Sequence, residues 1–270
     1  MRKVLRTTLL IVLFGVLIYS MTHIVLTETE YKRAEAIYDK SRSESFHISD
    51  TVQPASALSE ANEYFPDASV DFEMLKSTNA EVVGWIWIGE TNINFPLLRG
   101  EDNRKYLNLS YDLQQTNSGS IFMDFRNSPD LSSVNTVIYG HNMKSGGMFG
   151  ELKKFGEPEY LKQHCDLYIF TETCAFKYRI FAAYKTESES KSYTLDFSKD
   201  FSYNDFIEYA MSFASDEGSA APSEITKLIT LSTCTSGRRN ERFVVHAFLI
   251  AAKSTDAFSA VEPIPTGNAE

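Results

Sequence analysis

Cysteine is scarce in this chain: three residues among 270, Cys165, Cys174 and Cys234. That is too few for the disulfide scaffold of a small secreted domain, and the odd number leaves at least one thiol unpaired. Cys165 and Cys174 flank a hairpin pattern, CDLYIF-TET-CAFKYRI, whose turn at 171–173 pairs Cys174 with a residue near 170. No bridge between the two is therefore expected. Basic runs are lacking as well. The formal net charge is −10, and no Lys/Arg cluster follows the first few residues, which excludes a phosphate-binding face and nucleic acid as a partner. Internal repeats and low-complexity tracts are absent, and no His, Cys, Asp or Glu set has the spacing of a metal site, so neither metal nor another cofactor is expected.

Charge is missing altogether from the 21 residues Thr7–Thr27. A helix needs roughly 20 residues to cross a bilayer, so the segment is long enough to span. Arg2, Lys3 and Arg6 precede it and Glu28 and Glu30 follow, an asymmetry that keeps the N-terminus cytoplasmic and exports the remainder. A cleaved secretory signal would carry a shorter apolar region and a small-x-small cleavage site, and neither is evident. The expected organisation is a cytoplasmic tip and transmembrane anchor over 1–27, a helical stalk and linker over 28–70, a catalytic domain over 71–255 and a C-terminal tail over 256–270.

What the chain has in quantity is apolar and aromatic residues, 43% and 13% of the total, enough for a substantial core. Tyr31, Ala34, Ile37 and Tyr38 stand at helical spacing in the stalk, which runs to roughly Ser45, and 47–65 reads as linker. Asp71–Ser77 reads as a short helix. From Val82 eight apolar runs follow, VVGWIWI, INFPLL, GSIFMD, TVIYGH, DLYIF, AFKYRIFAAY, KLITLSTC and RFVVHAFLIAA, the pattern of a barrel or sandwich. Helices are confined to insertions, over Met148–Phe155, Glu159–Gln163 and Tyr203–Phe213.

Two of those runs end in residues that carry chemistry. KLITLSTC delivers Cys234 to a charged loop, and TVIYG delivers His141 to the flexible stretch Lys144–Gly147. Alone, a strand-end thiol is more often packing than nucleophile, and a lone histidine more often structural than catalytic. Together they supply what nucleophilic acyl transfer requires: an attacking thiolate and a proton donor for the leaving amine. Arg242 opens the final run, and an antiparallel return through the Cys234 loop brings it near the thiol, where a guanidinium can donate to an oxyanion. Arg238 and Arg239 lie mid-loop and read as solvated charges. Asp124 and Glu241 are candidate orienting carboxylates for His141.

TLSTC followed by a short loop and an Arg-initiated strand resembles the signature of the sortase family, and IYGHN with a downstream Gly-Met-Phe resembles its histidine motif. GWIWI, NFPLL, the Asp102–Leu107 stretch and GSIFMD are similar to the class B pattern in the same order, so the resemblance covers roughly Phe72–Ala252. It implies a mostly β fold: an eight-stranded sortase barrel with N-terminal helices and a helix between the sixth and seventh strands. It implies a cysteine transpeptidase that cuts a C-terminal sorting signal after threonine, often of the NPQTN kind, and transfers the exported protein to an amine acceptor. In class B relatives that acceptor is usually a cell-wall precursor cross-bridge, which is lipid-linked peptidoglycan in a Gram-positive envelope, though some relatives polymerise pilins. By the same likeness Asn103, Leu107, Tyr193, Thr194 and Ser232 line the substrate groove. A hydrolytic cysteine protease differs only in resolving the thioacyl enzyme with water, and a surface scaffold with inert Cys234 and His141 is the non-enzymatic alternative.

Overall fold

The computed structural model describes residues 2–48, 65–214, 221–234 and 240–254. Residues 49–64 of the expected linker over 47–65, Arg238 and Arg239 of the charged loop, the side chain of Cys234 and the tail from 255 onward lie outside the described residues, and His47 and Ile48 belong to a strand.

The expected anchor and stalk segments form one helix, α1 (Arg2–Ser45). Its first half exposes Leu9, Leu10, Ile11, Phe14, Leu17 and Ile24 to the surroundings, with no protein packed against them. At about 1.5 Å per residue, the uncharged stretch is some 30 Å long, the thickness of a hydrocarbon core. The second half departs from a free stalk, because it docks on the barrel: Ala34 and Tyr38 are buried, and Tyr38 Oη donates to Gly119 O at 2.6 Å with Ser120 Oγ 3.0 Å away. Glu30 adds a carboxylate clamp on the backbone N–H and side-chain amide of Asn117. The chain then enters β1 (Phe46–Ile48), which pairs antiparallel with β2 (Ala68–Val70). Helix α2 (Phe72–Thr78) begins at Asp71, whose carboxylate caps Met74 N.

Eight strands close a barrel, one for each apolar run read in the sequence: β3 (Val82–Ile88), β4 (Asn94–Leu98), β5 (Ile121–Met123), β6 (Asn135–Tyr139), β7 (Asp166–Phe170), β8 (Cys174–Glu187), β9 (Leu228–Cys234) and β10 (Glu241–Ser254). Around the barrel the order is β10-β8-β7-β3-β4-β5-β6-β9, with β4–β5 and β6–β9 parallel and the other pairs antiparallel. Closure removes the sheet edges that would otherwise template aggregation. Trp85, Ile86, Leu97, Phe122, Ile138, Phe149, Ile169 and Tyr178 belong to one buried core on the two faces of the barrel wall, and Phe46 stacks on Trp85 at 5.4 Å between ring centroids, which ties the small β1–β2 sheet to β3. Lys177, inside a strand that reads as apolar, is buried against Asp166 at 3.0 Å.

Helices occupy the insertions. α3 (Pro158–Gln163) carries proline in its first turn, and α4 (Tyr203–Met211) begins with a reciprocal capping box between Ser202 and Asp205. The expected Met148–Phe155 helix is instead a turn followed by a 3-10 segment over Leu152–Gly156, because Met148 sits at φ 50°, outside the helical region. α4 lies between the sixth and seventh barrel strands and covers a second apolar layer on the outer face, formed by Phe181, Tyr184, Phe206, Ala210 and Val244. Cys165 and Cys174 are free thiols, and Thr171 N donates to Cys174 O, closing the expected hairpin turn.

Candidate active site

The site is built by the register of three neighbouring strands. In the parallel β6–β9 pair, Tyr139 stands opposite Ser232. His141 lies two residues beyond Tyr139, and Cys234 two residues beyond Ser232. Across the antiparallel β9–β10 pair, Cys234 stands opposite Arg242. Cys234 and Arg242 therefore share a register position at the end of β9, and the side chains of His141 and Arg242 line one groove, although 101 positions separate these two. The period-2 alternation of β9 puts Thr230 and Ser232 on one face, the face on which α4 and the 191–194 segment lie.

Gly140 makes the turn from β6 to His141 possible. Its N–H donates to Ser232 O at 3.1 Å, and a Cβ there would fall 2.4 Å from Ile121 Cδ1 and 2.8 Å from the Phe149 ring. Beyond it, Phe149 N donates to His141 O at 2.9 Å, which holds the histidine backbone against the loop that follows. The His141 ring is oriented by a backbone carbonyl: Nε2–H donates to Leu107 O at 2.8 Å. The expected carboxylate partner is not Asp124. That side chain is fully buried and accepts from Arg126 Nε and Nη2 at 2.8 Å each, Asn103 Nδ2 at 2.9 Å and Tyr139 Oη at 2.9 Å. Burial by itself would raise the Asp124 carboxyl, but the bonds from Arg126, Asn103 and Tyr139 outweigh it and hold it down to about 2. Glu241 pairs with Lys185 at 3.6 Å.

That groove, of about 260 Å³, is lined by Asn103, Leu107, Tyr139, His141, Tyr193, Ser232 and Arg242 among others. Asn103 is locked in place, its amide donating to Asp124 while its Oδ1 accepts from Phe125 N at 3.0 Å. Tyr193 Oη and Ser232 Oγ are 2.7 Å apart, and the Tyr193 ring stacks on Tyr139 at 6.4 Å. Thr194 sits beside the groove rather than on its lining. Its Oγ1 donates to Lys191 O at 2.8 Å and its carbonyl accepts from Asn135 Nδ2 at 2.8 Å. Arg242 is half-buried and donates from Nη1 to Glu241 O at 3.0 Å. Among the described residues, no group of three or more His, Cys, Asp and Glu side chains is arranged to hold a metal ion.

Sequence reasoning missed the support beneath these residues. Tyr139 and the Asp124–Arg126 pair fix Asn103 and Tyr193, and the short Asp-x-Arg spacing after GSIFM was the one available signal for the pair. The Leu107 carbonyl has no side-chain signature at all.

A family model described as the sortase domain matches residues 86–250. Sortase B of Listeria monocytogenes is 29% identical over 251 residues, covering 92% of this chain and 98% of the relative. Among solved structures, a Staphylococcus aureus sortase B–substrate complex superposes with a TM-score of 0.66 at 27% identity, covering 82% of this chain and 98% of that one. Sortase B from B. anthracis gives 0.67 at 30% identity over the same shares. With a family model matching more than half of the chain, a barrel of the same kind and relatives aligned over nearly their whole length, the chain belongs to the sortase family of cysteine transpeptidases, in its class B branch.

Proposed function

We propose that this sortase is held in the cell membrane by α1 with its barrel on the extracellular face, cuts a C-terminal sorting signal after threonine, and passes the exported protein to an amine on a cell-wall precursor. The observation that carries the reading is the register of Cys234 opposite Arg242, together with the imidazole of His141 and the guanidinium of Arg242 lining one groove. In the first half-reaction the Cys234 thiolate attacks the threonine carbonyl carbon. Arg242 donates to the oxyanion that forms, and His141 protonates the departing amine as the C–N bond breaks, leaving a thioester. In the second, the acceptor amine attacks that thioester, His141 takes its proton, and the thiolate leaves. A His141 ring whose Nε2–H is committed to Leu107 O has Nδ1 as its site of proton exchange.

Asn103, Leu107, Tyr193 and Ser232 form the groove in which the signal peptide lies, with Asn103 and the Tyr193 hydroxyl as fixed polar contacts. Thr194 contributes by bracing Tyr193. The substrate held by the related Staphylococcus aureus enzyme supports a peptide-binding groove here. Anchoring favours transfer over hydrolysis, because a tethered enzyme meets a membrane-held signal and a membrane-held amine at high effective concentration.

The test uses the full chain in detergent micelles with quenched peptides of NPQTN type, with and without triglycine, beside Cys234→Ala. Cleavage after threonine that yields a triglycine adduct and vanishes in the variant is the expected result. Acid product alone in the presence of triglycine would replace transfer by hydrolysis, and an uncut library would remove the proposed signal class.

A further inference from the structure

His246 lies four residues beyond Arg242 on the same face of β10, opposite Thr230, and takes no part in the chemistry above. It is buried, and both ring nitrogens are engaged: Nδ1 lies 3.0 Å from Thr230 Oγ1 and Nε2 lies 2.9 Å from Tyr184 Oη. Each contact continues outward. Thr230 Oγ1 donates to Asn135 Oδ1 at 3.0 Å, and Asn135 Nδ2 donates to Thr194 O at 2.8 Å. On the other side Tyr184 Oη is 3.0 Å from Ser192 Oγ. The two branches end on Ser192 and Thr194, the residues either side of Tyr193.

Donor and acceptor roles in this circuit follow from its one fixed end. A carbonyl only accepts, so Asn135 must present its amide to Thr194 and its oxygen to Thr230. Thr230 has spent its single proton on that oxygen, so its lone pair takes a proton from His246 Nδ1–H. A neutral ring protonated on Nδ1 leaves Nε2 as acceptor, and Tyr184 donates to it. Tyr184 then accepts from Ser192 at 3.0 Å, the shorter of the two hydroxyl contacts of Ser192, the other being Thr186 Oγ1 at 3.5 Å.

We propose that His246, as the neutral Nδ1–H tautomer, is a positioning residue for the substrate groove: it closes a buried hydrogen-bond circuit that clamps Ser192 and Thr194 and so holds the Tyr193 hydroxyl on Ser232. The inference rests on the groove function proposed above. The side chains packed on the ring are Tyr184 and Phe181 from β8, Thr230 from β9 and Phe206 from α4, none of them a counter-charge. Burial pushes the His246 imidazole down to about 3 and the Tyr184 phenol above its ordinary value, so neither changes charge near neutral pH.

Two readouts test this on the full chain in micelles. The first is the pair of ¹⁵N shifts of His246 in histidine-labelled protein, assigned by loss of the signal in His246→Gln. A proton on Nδ1, unchanged between about pH 5 and pH 8, is expected. A proton on Nε2, or titration within that window, overturns the proposal, and this result stands whether or not any peptide is cleaved. The second compares peptide kinetics in His246→Gln, Ser192→Ala and Tyr193→Phe. Each is expected to raise KM about five- to tenfold with kcat little changed, and His246→Gln is expected to add almost nothing in the Tyr193→Phe background. Alkylation of Cys234, read by peptide mapping, should keep its wild-type rate. Ser192→Ala removes only a hydroxyl, so it reports even if His246→Gln misfolds. Independent, multiplying effects on KM, or a loss of kcat and Cys234 reactivity at unchanged KM, overturn the clamp.

Discussion

Asp124→Asn probes the support of the groove most sharply. The carboxylate is fully buried and accepts from Arg126, Asn103 and Tyr139, so the asparagine would turn an NH2 group towards donors already in place. Depression from the ordinary value of 3.8 to about 2 corresponds to about 2 kcal/mol of stability in the charged form. The pH sign follows from that direction. A carboxyl depressed in the folded state stabilises fully above its unfolded value and loses the contribution as pH falls through its folded value. We therefore expect Asp124→Asn to cost about 2 to 3 kcal/mol at neutral pH, with the gap from wild type flat down to about pH 5 and shrinking from about pH 4 towards pH 2. Urea midpoints for both proteins across that range measure it. Released Asn103 and Tyr139 should also weaken peptide binding, seen as a raised KM. A variant within about 0.5 kcal/mol of wild type at neutral pH, or a gap as wide at pH 3 as at pH 7, would refute the reasoning.

Gly140→Ala places a Cβ 2.4 Å from Ile121 Cδ1 and against the Phe149 ring, so it should cost about 1 to 3 kcal/mol and displace His141, lowering both Tm and kcat/KM. Tyr38→Phe strands the Gly119 carbonyl at the helix–barrel contact, while Ser120 Oγ keeps its bond to Leu109 O, an expected loss of about 1 to 3 kcal/mol by thermal unfolding with peptide kinetics unchanged. Arg242→Lys keeps the charge but loses the planar fork, and kcat should fall about 10²- to 10³-fold at wild-type Tm.

Legibility in the sequence tracked the range of the interaction. All eight barrel strands were readable because each is a local run of β-branched and aromatic residues, from VVGWIWI to RFVVHAFLIAA. The nearness of His141 to Arg242 was half readable: each residue stands at a strand end, but only the parallel pairing of β6 with β9 sets the end of β6 beside the β9–β10 pair. The small β1–β2 sheet was invisible, since two three-residue strands pair across a long separation with no alternation to mark them. The docked half of α1 showed its apolar stripe but not its partner, because the Tyr38 hydroxyl donates to a backbone carbonyl, at Gly119, which has no side-chain signature. Asp124, with Glu241 one of two candidate partners for His141, is instead consumed by Arg126, Asn103 and Tyr139. Sequence separation gave no means of ranking those claims.

The central claim is that Cys234 carries the acyl group. The direct measurement is intact-mass analysis of the full chain, acid-quenched during turnover of a sorting-signal peptide without added amine, followed by peptide mapping. A mass increase equal to the N-terminal peptide fragment, located on Cys234, labile to hydroxylamine and absent from Cys234→Ala, is the predicted result. An adduct on Cys165 or Cys174, or steady cleavage with Cys234 unmodified and the alanine variant active, would contradict the account.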